Sequence, residues 1–399
     1  MSDTGHPRPG RAIVAGFCAA LVGLGLARFA YTPLLPAIIA DHWFSASDAA
    51  YLGAANLAGY VGGALSAAQL ARRIAAPAAL RGLMLMTSAS LLACAWPVDF
   101  AWFCAWRFVS GLTGGALMVL AAPTVLPAIR PAQRGLASGI IFMGVGVGIA
   151  ASGVLVPLLL RSGLTATWLT LCGLSLALTA VAWTGWPTTP PAATAAAQER
   201  ASAAPHARRQ LHVLCGQYAL NAAGLVPHMI FLVVFIADGL GRGLAVGASY
   251  WTAFGLGAIA GPVLAGSVAD RLGYQRTLRI GLGVQAVAVV LPAWNPSPAC
   301  LLVSSVVMGA FTPGIVPLVL GRIQEMLSHR STAEKVSAWS VATTSFAILQ
   351  ALAAYAFTYV LAASGSYVLL FGIASSAILG ALAIDLAMSP SPARSKTPA

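Results

Sequence analysis

The sequence predicts an all-α membrane protein with twelve transmembrane helices in two six-helix halves. Only 8% of the 399 residues are charged and 59% are hydrophobic, whereas about 25% of an ordinary soluble domain is charged. The apolar residues form long blocks, such as Ile280–Leu320, which contains no charged residue. A Pro-, Ala- and Thr-rich segment divides the chain near its middle. A soluble fold of this size would lack the charged residues needed to cover its surface.

The lengths of the apolar blocks place the helices, because a bilayer core about 30 Å thick needs roughly 20 apolar residues per helix. Abundant glycine without alternating ten-residue segments favours packed helices over a β-barrel. We predict helices at 12–39, 49–71, 79–97, 101–127, 135–160, 166–186, 210–237, 246–269, 276–294, 298–327, 334–363 and 366–388. The predicted units are an N-terminal bundle (12–186), a cytoplasmic linker (187–209), a C-terminal bundle (210–388) and a cytoplasmic tail (389–399).

The distribution of Lys and Arg predicts the orientation. Of the 22 basic residues, Arg161 and Arg242 fall on one side and Arg28 and Arg107 lie inside helices. The other side holds Arg8, Arg11, Arg72, Arg73, Arg81, Arg130, Arg134, Arg200, Arg208, Arg209, Arg271, Arg276, Arg279, Arg322, Arg330, Lys335, Arg394 and Lys396. Positive charge accumulates on the cytoplasmic side, so we predict a bacterial inner-membrane protein with both termini in the cytoplasm. Basic residues in short loops, without a basic stripe, argue against a nucleic-acid partner.

Other classes of function lack their sequence signals. The cysteines lie in apolar segments without metal-ligand spacing, so we interpret them as small core residues: Cys18, Cys94, Cys104, Cys172, Cys215 and Cys300. An intramembrane enzyme would need a nucleophile–base pair or paired acids, yet His228 is the one deep histidine and has no deep acidic neighbour. A transport-derived sensor would carry a long soluble region, and both tails are short. We expect no enzyme activity and no cofactor.

An internal repeat supports the two-half organisation. A shift of 199 residues aligns Tyr51 with Tyr250, Leu57 with Leu256, Gly62 with Gly261, Leu65 with Leu264 and Arg72 with Arg271 without a gap. Both copies fall on the second predicted helix of a half. Two parallel six-helix halves joined by a linker are a known transporter architecture.

Three segments resemble motifs of the major facilitator superfamily. The loop after the eighth helix, GSVADRLGYQR from Gly266 to Arg276, resembles the signature G-x-L-a-D-r-x-G-r-k, although Ala71 replaces the acid in the first-half copy. The segment from Arg107 to Gly111 resembles the R-x-x-x-G motif of the fourth helix. The opening segment, GLARFAYTPLLP from Gly25, is similar to the YbfB/YjiJ-like branch. The resemblance implies a secondary transporter that works by alternating access.

The resemblance also implies a charge latch that favours the outward-open state. In the superfamily, the loop Asp and Arg contact neighbouring helix ends, and an acid near a helix N-terminus is stabilising. The matching positions are Gly266, Asp270, Arg271, Gly273 and Arg276. The alternative is that these charges only follow the positive-inside distribution, which we favour for Arg279.

Arg28 and Arg107 fall within predicted helices, and no Asp or Glu lies deep in any span. A cation at the bilayer centre costs roughly 2.5–3.5 kcal/mol on insertion scales, so water, carbonyl groups or a ligand must offset it. We expect both arginines to face a central cavity and bind substrate. The alternatives are that Arg107 donates to helix carbonyls and that Arg28 snorkels outward.

Superfamily architecture places the first, fourth, seventh and tenth helices around that cavity. On the seventh helix, Gln217, Asn221 and His228 share one face with Gly224, although a lone histidine could simply bond across helices. The predicted substrate-binding residues are Arg28, Tyr31, Thr32, Arg107, Gln217, Asn221 and His228. Glycines along the fifth helix, including Gly144 and Gly148, serve either close packing or gating.

Fixed positive charge without carboxylates suits an anion, which an Arg can bind through two hydrogen bonds. We therefore expect a small organic anion as substrate. The alternative is an exporter of hydrophobic drug-like compounds, for which Phe29 and Tyr31 would suit the lining. A co-transported proton, uniport and anion exchange all remain open, since no buried acid is present to titrate. The expected partners are the substrate and the lipid bilayer, with the protein acting as a monomer.

Overall fold

The computed structural model describes residues 9–187 and 205–388. Twelve long helices cover these residues: α1 Pro9–Ala40, α2 Ala46–Arg73, α3 Ala76–Ala93, α4 Phe100–Val125, α5 Arg134–Leu159, α6 Leu164–Ala182, α7 Arg209–Gly239, α8 Leu244–Leu272, α9 Tyr274–Trp294, α10 Pro298–Met326, α11 Thr332–Ser364 and α12 Tyr367–Met388. The predicted fold class is confirmed. The predicted tail and most of the predicted linker lie outside the described residues, so the domain boundaries stay predictions.

Eleven of the described helices are long and apolar enough to cross a membrane. The exception is α2, a 28-residue helix with Asn56, Ser66 and Gln69 in its length and two arginines in its last turn. This helix is nevertheless part of the same helical bundle, because it packs along most of α4. The turn between α9 and α10, which prolines obscure in the sequence, spans three residues before Pro298.

Glycines join α2 to α4 and α8 to α10 in the same way. A methyl group built at Gly63 of α2 would overlap the backbone of α4, and one built at Gly261 of α8 would overlap the backbone of α10. Small residues at these crossings let the helix backbones touch, which is how helices pack in a lipid environment. The two halves therefore repeat one packing arrangement.

Two helices depart from α-helical geometry. The segment Leu21–Phe29 of α1 is a π-helix, and so are Pro227–Phe231 and Phe235–Gly239 of α7. Proline has no N–H to donate to the carbonyl four residues earlier, and Pro33, Pro36 and Pro227 lie in or just after these segments. π-Helical turns are frequently found at functional sites. The sequence patterns described above do not predict these π-helical segments.

The halves meet tightly at the end of the bundle where α1 and α7 begin, which we call the basic end because Arg72, Arg134, Arg271 and Arg322 lie near it. From this end, where Gly135 meets Gly266, α5 lies against α8 as far as Ala150 and Gly255, and α11 lies against α2 and α4. Farther in, Trp339 Nε1 donates to the Met118 carbonyl at 3.1 Å and Ser340 Oγ donates to the Ala64 carbonyl at 2.5 Å. The protein is thus closed at the basic end.

Candidate functional site

Arg28 lies at the boundary between the halves, beyond these closing contacts. It extends from the π-helical segment of α1, and its Nη2 donates to Oε1 of Gln350 in α11 at 2.9 Å. The guanidinium carbon lies 5.2 Å from the ring centroid of Tyr60 in α2. The side chain is half-buried, and its remaining donors, which bond to no described residue, retain accessible surface. Arg28 is therefore a cation with unused hydrogen-bonding capacity.

Arg107 is enclosed within the N-terminal half. It is 2% exposed, its Nη1 donates to the Ala27 carbonyl at 2.8 Å, and its guanidinium carbon lies 4.1 Å from the Tyr31 ring centroid. Tyr31 is itself held by a 2.9 Å hydrogen bond from its hydroxyl to the Ala49 carbonyl. Thr32, which follows Tyr31, is exposed. Arg107 thus donates to a helix carbonyl and holds the backbone immediately before Arg28.

The polar face of α7 is directed toward other helices of its own half. Asn221 Nδ2 donates to Oε1 of Gln285 in α9 at 2.7 Å, and both side chains are at most 1% exposed. Three amide atoms of this cluster have no partner within the described residues: Gln217 Nε2, Asn221 Oδ1 and Gln285 Nε2. Gln217 and Asn221 line an apolar crevice with Leu278, Ile315 and other residues of α9 and α10, too tight for a water molecule. These amides form a buried structural cluster in the C-terminal half.

The Asn221–Gln285 pair yields a stability prediction. Asn221→Leu leaves the Gln285 amide without any partner, so it should lower the free energy of unfolding by about 1–3 kcal/mol. Asn221→Leu/Gln285→Leu removes both partners and should recover most of that loss. Thermal unfolding of the purified variants in detergent measures both effects. A double variant that is less stable than the single one would contradict the structural role.

His228 also bonds within the C-terminal half. It is fully buried in the π-helical part of α7, and its Nε2 lies 2.7 Å from Oγ of Ser304 in α10. Ser304 Oγ donates to the Ala288 carbonyl of α9 at 2.5 Å. Because that hydroxyl proton goes to Ala288, the histidine Nε2 is the donor to Ser304. The ring also meets Phe371 edge-on, with centroids 5.4 Å apart.

The structure therefore brings Arg28, Arg107 and Tyr31 together on one side of the bundle, and it places Gln217, Asn221 and His228 among α9, α10 and α12. Two neighbours of Arg28 were not among the predicted site residues: Gln350, which lies in the other half, and Tyr60, whose ring lies beside the guanidinium. An isolated glutamine in the long apolar α11 was the available signal for Gln350. Its partner lies 322 residues away, so sequence spacing does not connect the two.

At the basic end, Asp270 of α8 caps a helix of the opposite half. Its two carboxylate oxygens accept hydrogen bonds from the backbone N–H groups of Gly135 and Leu136, both at 2.8 Å. These are among the first residues of α5, whose own N-cap residue Gln133 makes no capping bond. An acid at this position satisfies unpaired N–H groups and interacts favourably with the helix dipole. Asp270 thus connects the halves at the end where they are closed.

The other residues of the motif have different surroundings. Gly266 lies directly against Gly135, and a side chain at either position would overlap the other's carbonyl oxygen. Gly273 has φ +84° and forms the single-residue turn between α8 and α9, a conformation that favours glycine. Arg271 and Arg276 are exposed and bond to no other residue in the described part of the chain.

The first-half copy has no such connection, in keeping with its degenerate motif. Ala71 has no carboxylate to offer, and α11 caps its own N-terminus. Ser331 Oγ accepts from Glu334 N at 3.3 Å, while the Glu334 carboxylate accepts from Ser331 N at 3.1 Å. This capping box fills the place that an acid in the first loop would take. The N-terminus of α5 is therefore capped by an acid of the opposite half, whereas the N-terminus of α11 is capped by residues of its own helix.

Comparison by sequence decides the family. The family described as "Uncharacterised MFS-type transporter YbfB" matches residues 20–386. The chain belongs to this family. The resemblance inferred from the three motifs is thereby confirmed, and the protein is an MFS-type transporter. A search of curated proteins found no match.

Solved structures confirm the MFS fold. The human organic anion transporter MFSD10 (TETRAN) aligns with a TM-score of 0.79 and 16% identity, over 95% of this chain and 100% of its own. The proton:xylose symporter XylE, bound to 6-bromo-6-deoxy-D-glucose, aligns at 0.71 and 16% identity, over 95% of each chain. The transporter FucP in the outward conformation aligns at 0.71 and 14% identity, over 95% of this chain and 99% of its own. At these identities the likeness concerns the fold alone.

Proposed function

We propose that this MFS-type transporter moves a small organic anion, of the carboxylate class, across the bacterial inner membrane by alternating access, and that Arg28 binds the anion. The fold is shared by an organic anion transporter and by a sugar symporter, so the substrate has to be argued from the site. The observation that carries the proposal is the position of Arg28, a half-buried cation between the halves that has free donors and no carboxylate partner among the residues the structure describes.

The other predicted ligands take different roles in this proposal. Arg107 and Tyr31 position Arg28, because Arg107 holds the Ala27 carbonyl and stacks on the Tyr31 ring. We leave Asn221 and His228 out of the substrate site, because they bond to helices of their own half. We leave Gln217 out because it lines the tight crevice beside Asn221. Tyr60 is a neighbour of Arg28 that a bound anion could contact, and Thr32, four residues after Arg28 on α1, stays a predicted ligand.

We further propose that the basic end is cytoplasmic, since positive charge accumulates on that side. The structure is then closed toward the cytoplasm, and Asp270 acts as the latch that favours the outward-facing state. The exposed Arg271 and Arg276 contribute positive charge at the membrane surface. In this arrangement the anion reaches Arg28 from outside while Asp270 holds α5 and α8 together below it.

Replacing Arg28 with Gln should abolish or strongly weaken transport of the anion. Each charge-assisted hydrogen bond to a carboxylate contributes about 1.5–3 kcal/mol, so we expect KM to rise roughly tenfold to a hundredfold. The measurement is uptake of radiolabelled mono- and dicarboxylates into proteoliposomes. Arg28→Lys keeps the charge but cannot form two parallel hydrogen bonds, so its KM should lie between those of Arg28→Gln and the wild type.

Arg81→Gln is the matched control. Like Arg28, Arg81 donates to a neutral oxygen, here the Trp183 backbone carbonyl at 2.9 Å, and lies over an aromatic ring, that of Trp183, but it lies at the edge of the N-terminal half. This variant should transport like the wild type. Unchanged KM in Arg28→Gln would refute the proposed site. Efflux of a lipophilic dye without uptake of any carboxylate would instead support an exporter of hydrophobic compounds.

A further inference from the structure

The contact between Arg28 and Gln350 resembles an arginine–ligand contact. Gln350 is 7% exposed, and its Oε1 lies 2.9 Å from Arg28 Nη2. An arginine can only donate hydrogen bonds, so the amide oxygen must be the atom that faces it. The other end of the amide, Nε2, donates to Sδ of Met229 at 3.4 Å. A thioether sulfur is a weak acceptor, so Arg28 is the stronger of the two partners.

The amide leaves the charge of Arg28 uncompensated. The ion pairs in the described residues, Arg279–Asp385, Arg322–Glu325 and Arg330–Glu334, all lie elsewhere. The bond from Arg28 to the neutral amide has one ionised partner, whereas a free carboxylate would add a negative charge and a second acceptor oxygen and could take two parallel hydrogen bonds from the guanidinium. A carboxylate at the position of the Gln350 oxygen would therefore replace the amide with a net gain.

We propose that the Gln350 side chain stands in for the substrate on Arg28 in the empty transporter, and that the incoming carboxylate displaces it. This inference rests on the proposed anion site. Gln350 is then a specificity residue that acts by competition: a ligand must interact with Arg28 more strongly than a neutral amide does. Neutral solutes fail this requirement, whereas anions meet it.

The displacement also has a conformational consequence. Arg28 is in the N-terminal half and Gln350 in the C-terminal half, so their hydrogen bond joins the two halves. It lies farther from the basic end than the Trp339–Met118 and Ser340–Ala64 contacts. Binding of an anion at Arg28 would break this connection and would loosen the halves at the depth of the substrate.

The test compares Gln350→Met with the wild type. Methionine has a similar length and no amide, so the competitor is removed while the space stays filled. We expect the dissociation constant of the best-bound probe among acetate, succinate and benzoate to fall about tenfold. Binding is measured by the shift in thermal unfolding of the full-length protein in detergent. Gln285→Met removes a buried amide that does not touch Arg28 and should leave the dissociation constant unchanged.

Gln350→Glu provides an independent variant. It places a tethered carboxylate on Arg28, so it should raise the unfolding midpoint and prevent stabilisation by all three probes. Arg28→Gln/Gln350→Glu should lose that gain in the midpoint. If Gln350→Met folds poorly, Gln350→Asn serves instead. Its side chain is shorter by one methylene, which draws the amide away from Arg28, so the dissociation constant of the probe should also fall.

The outcomes separate this inference from the proposed function. Weaker or unchanged binding in Gln350→Met, together with lost binding in Arg28→Gln, would overturn the stand-in role and leave the anion site in place. Unchanged binding in Arg28→Gln, or no binding of any probe by the wild type, would overturn both. Tighter binding in Gln350→Met that Arg28→Gln abolishes would support both.

Discussion

Replacing Asp270 with Asn should open the basic end of the transporter. The substitution keeps the shape of the side chain but removes the charge that holds the first N–H groups of α5 at Gly135 and Leu136. A partly buried acid at a helix N-terminus contributes up to about 2 kcal/mol, which corresponds to roughly a thirtyfold change in an equilibrium constant. We expect the population with an open basic end to rise by up to this factor.

The reporter for this change is a cysteine at Ser138, one turn into α5, where the native side chain is 2% exposed. In a background without the six native cysteines, maleimide labelling of Ser138→Cys should be faster in Asp270→Asn than in the parent. Arg271→Gln removes the adjacent charge, which bonds to no other described residue, and should label at the parent rate. Equal labelling rates in the Asn variant and its parent would show that Asp270 does not act as a latch.

A valine at Gly266 should prevent closure of the basic end altogether. A side chain at this position would overlap the Gly135 carbonyl of α5, so the clash is between an added side chain in one half and the backbone of the other. Overpacking costs about 1–3 kcal/mol and occasionally more, and the atom met here is a backbone oxygen, which cannot move away without moving its helix. Separation of the halves is the simplest way to relieve this clash. We expect transport to fall at least tenfold while each half keeps its fold.

Gly283→Val is the control, because a side chain at Gly283 of α9 meets no atom within 4 Å. It should transport normally. The Gly266→Val protein should retain its helical circular dichroism and show fast labelling at Ser138→Cys. Normal transport in Gly266→Val would mean that closure does not require the Gly135–Gly266 contact. Loss of helical structure would assign the position a role in folding instead.

The two variants test different parts of one contact. Asp270→Asn removes an attraction between the halves without adding volume, whereas Gly266→Val adds volume and keeps the attraction. Both should increase labelling at the basic end. They should differ in transport, because the Asn variant can still close, at a lower population, and the Val variant cannot.

The helices were predictable because their signal is local. A span of about 20 apolar residues reports the bilayer thickness directly, and the predicted spans match the observed helices closely, including the α9–α10 turn near Pro298. The loop motif around Asp270 was predictable for a related reason: its residues are contiguous. The π-helical segments of α1 and α7 were not, because proline indicates a break in the helix but does not specify its geometry.

The polar residues show where local information ends. Periodicity predicted that Gln217, Asn221 and His228 share one face of α7, but it could not say which helices these residues meet. The structure directs their polar atoms toward α9 and α10. Arg107 illustrates another limit, since its acceptor is the backbone carbonyl of Ala27. Every residue carries such a carbonyl, so no sequence pattern identifies the one that is used.

By itself, the sequence determined the membrane character, the number of helices, the two-half repeat and the family, because composition, span length and contiguous motifs carry that information. Tertiary structure alone decided that Arg28 meets Gln350, that Arg107 is held within its own half, and that Asp270 caps α5. The physical reason is that these are contacts between distant segments. They depend on how helices are rotated and packed against each other, and hydropathy does not encode rotation.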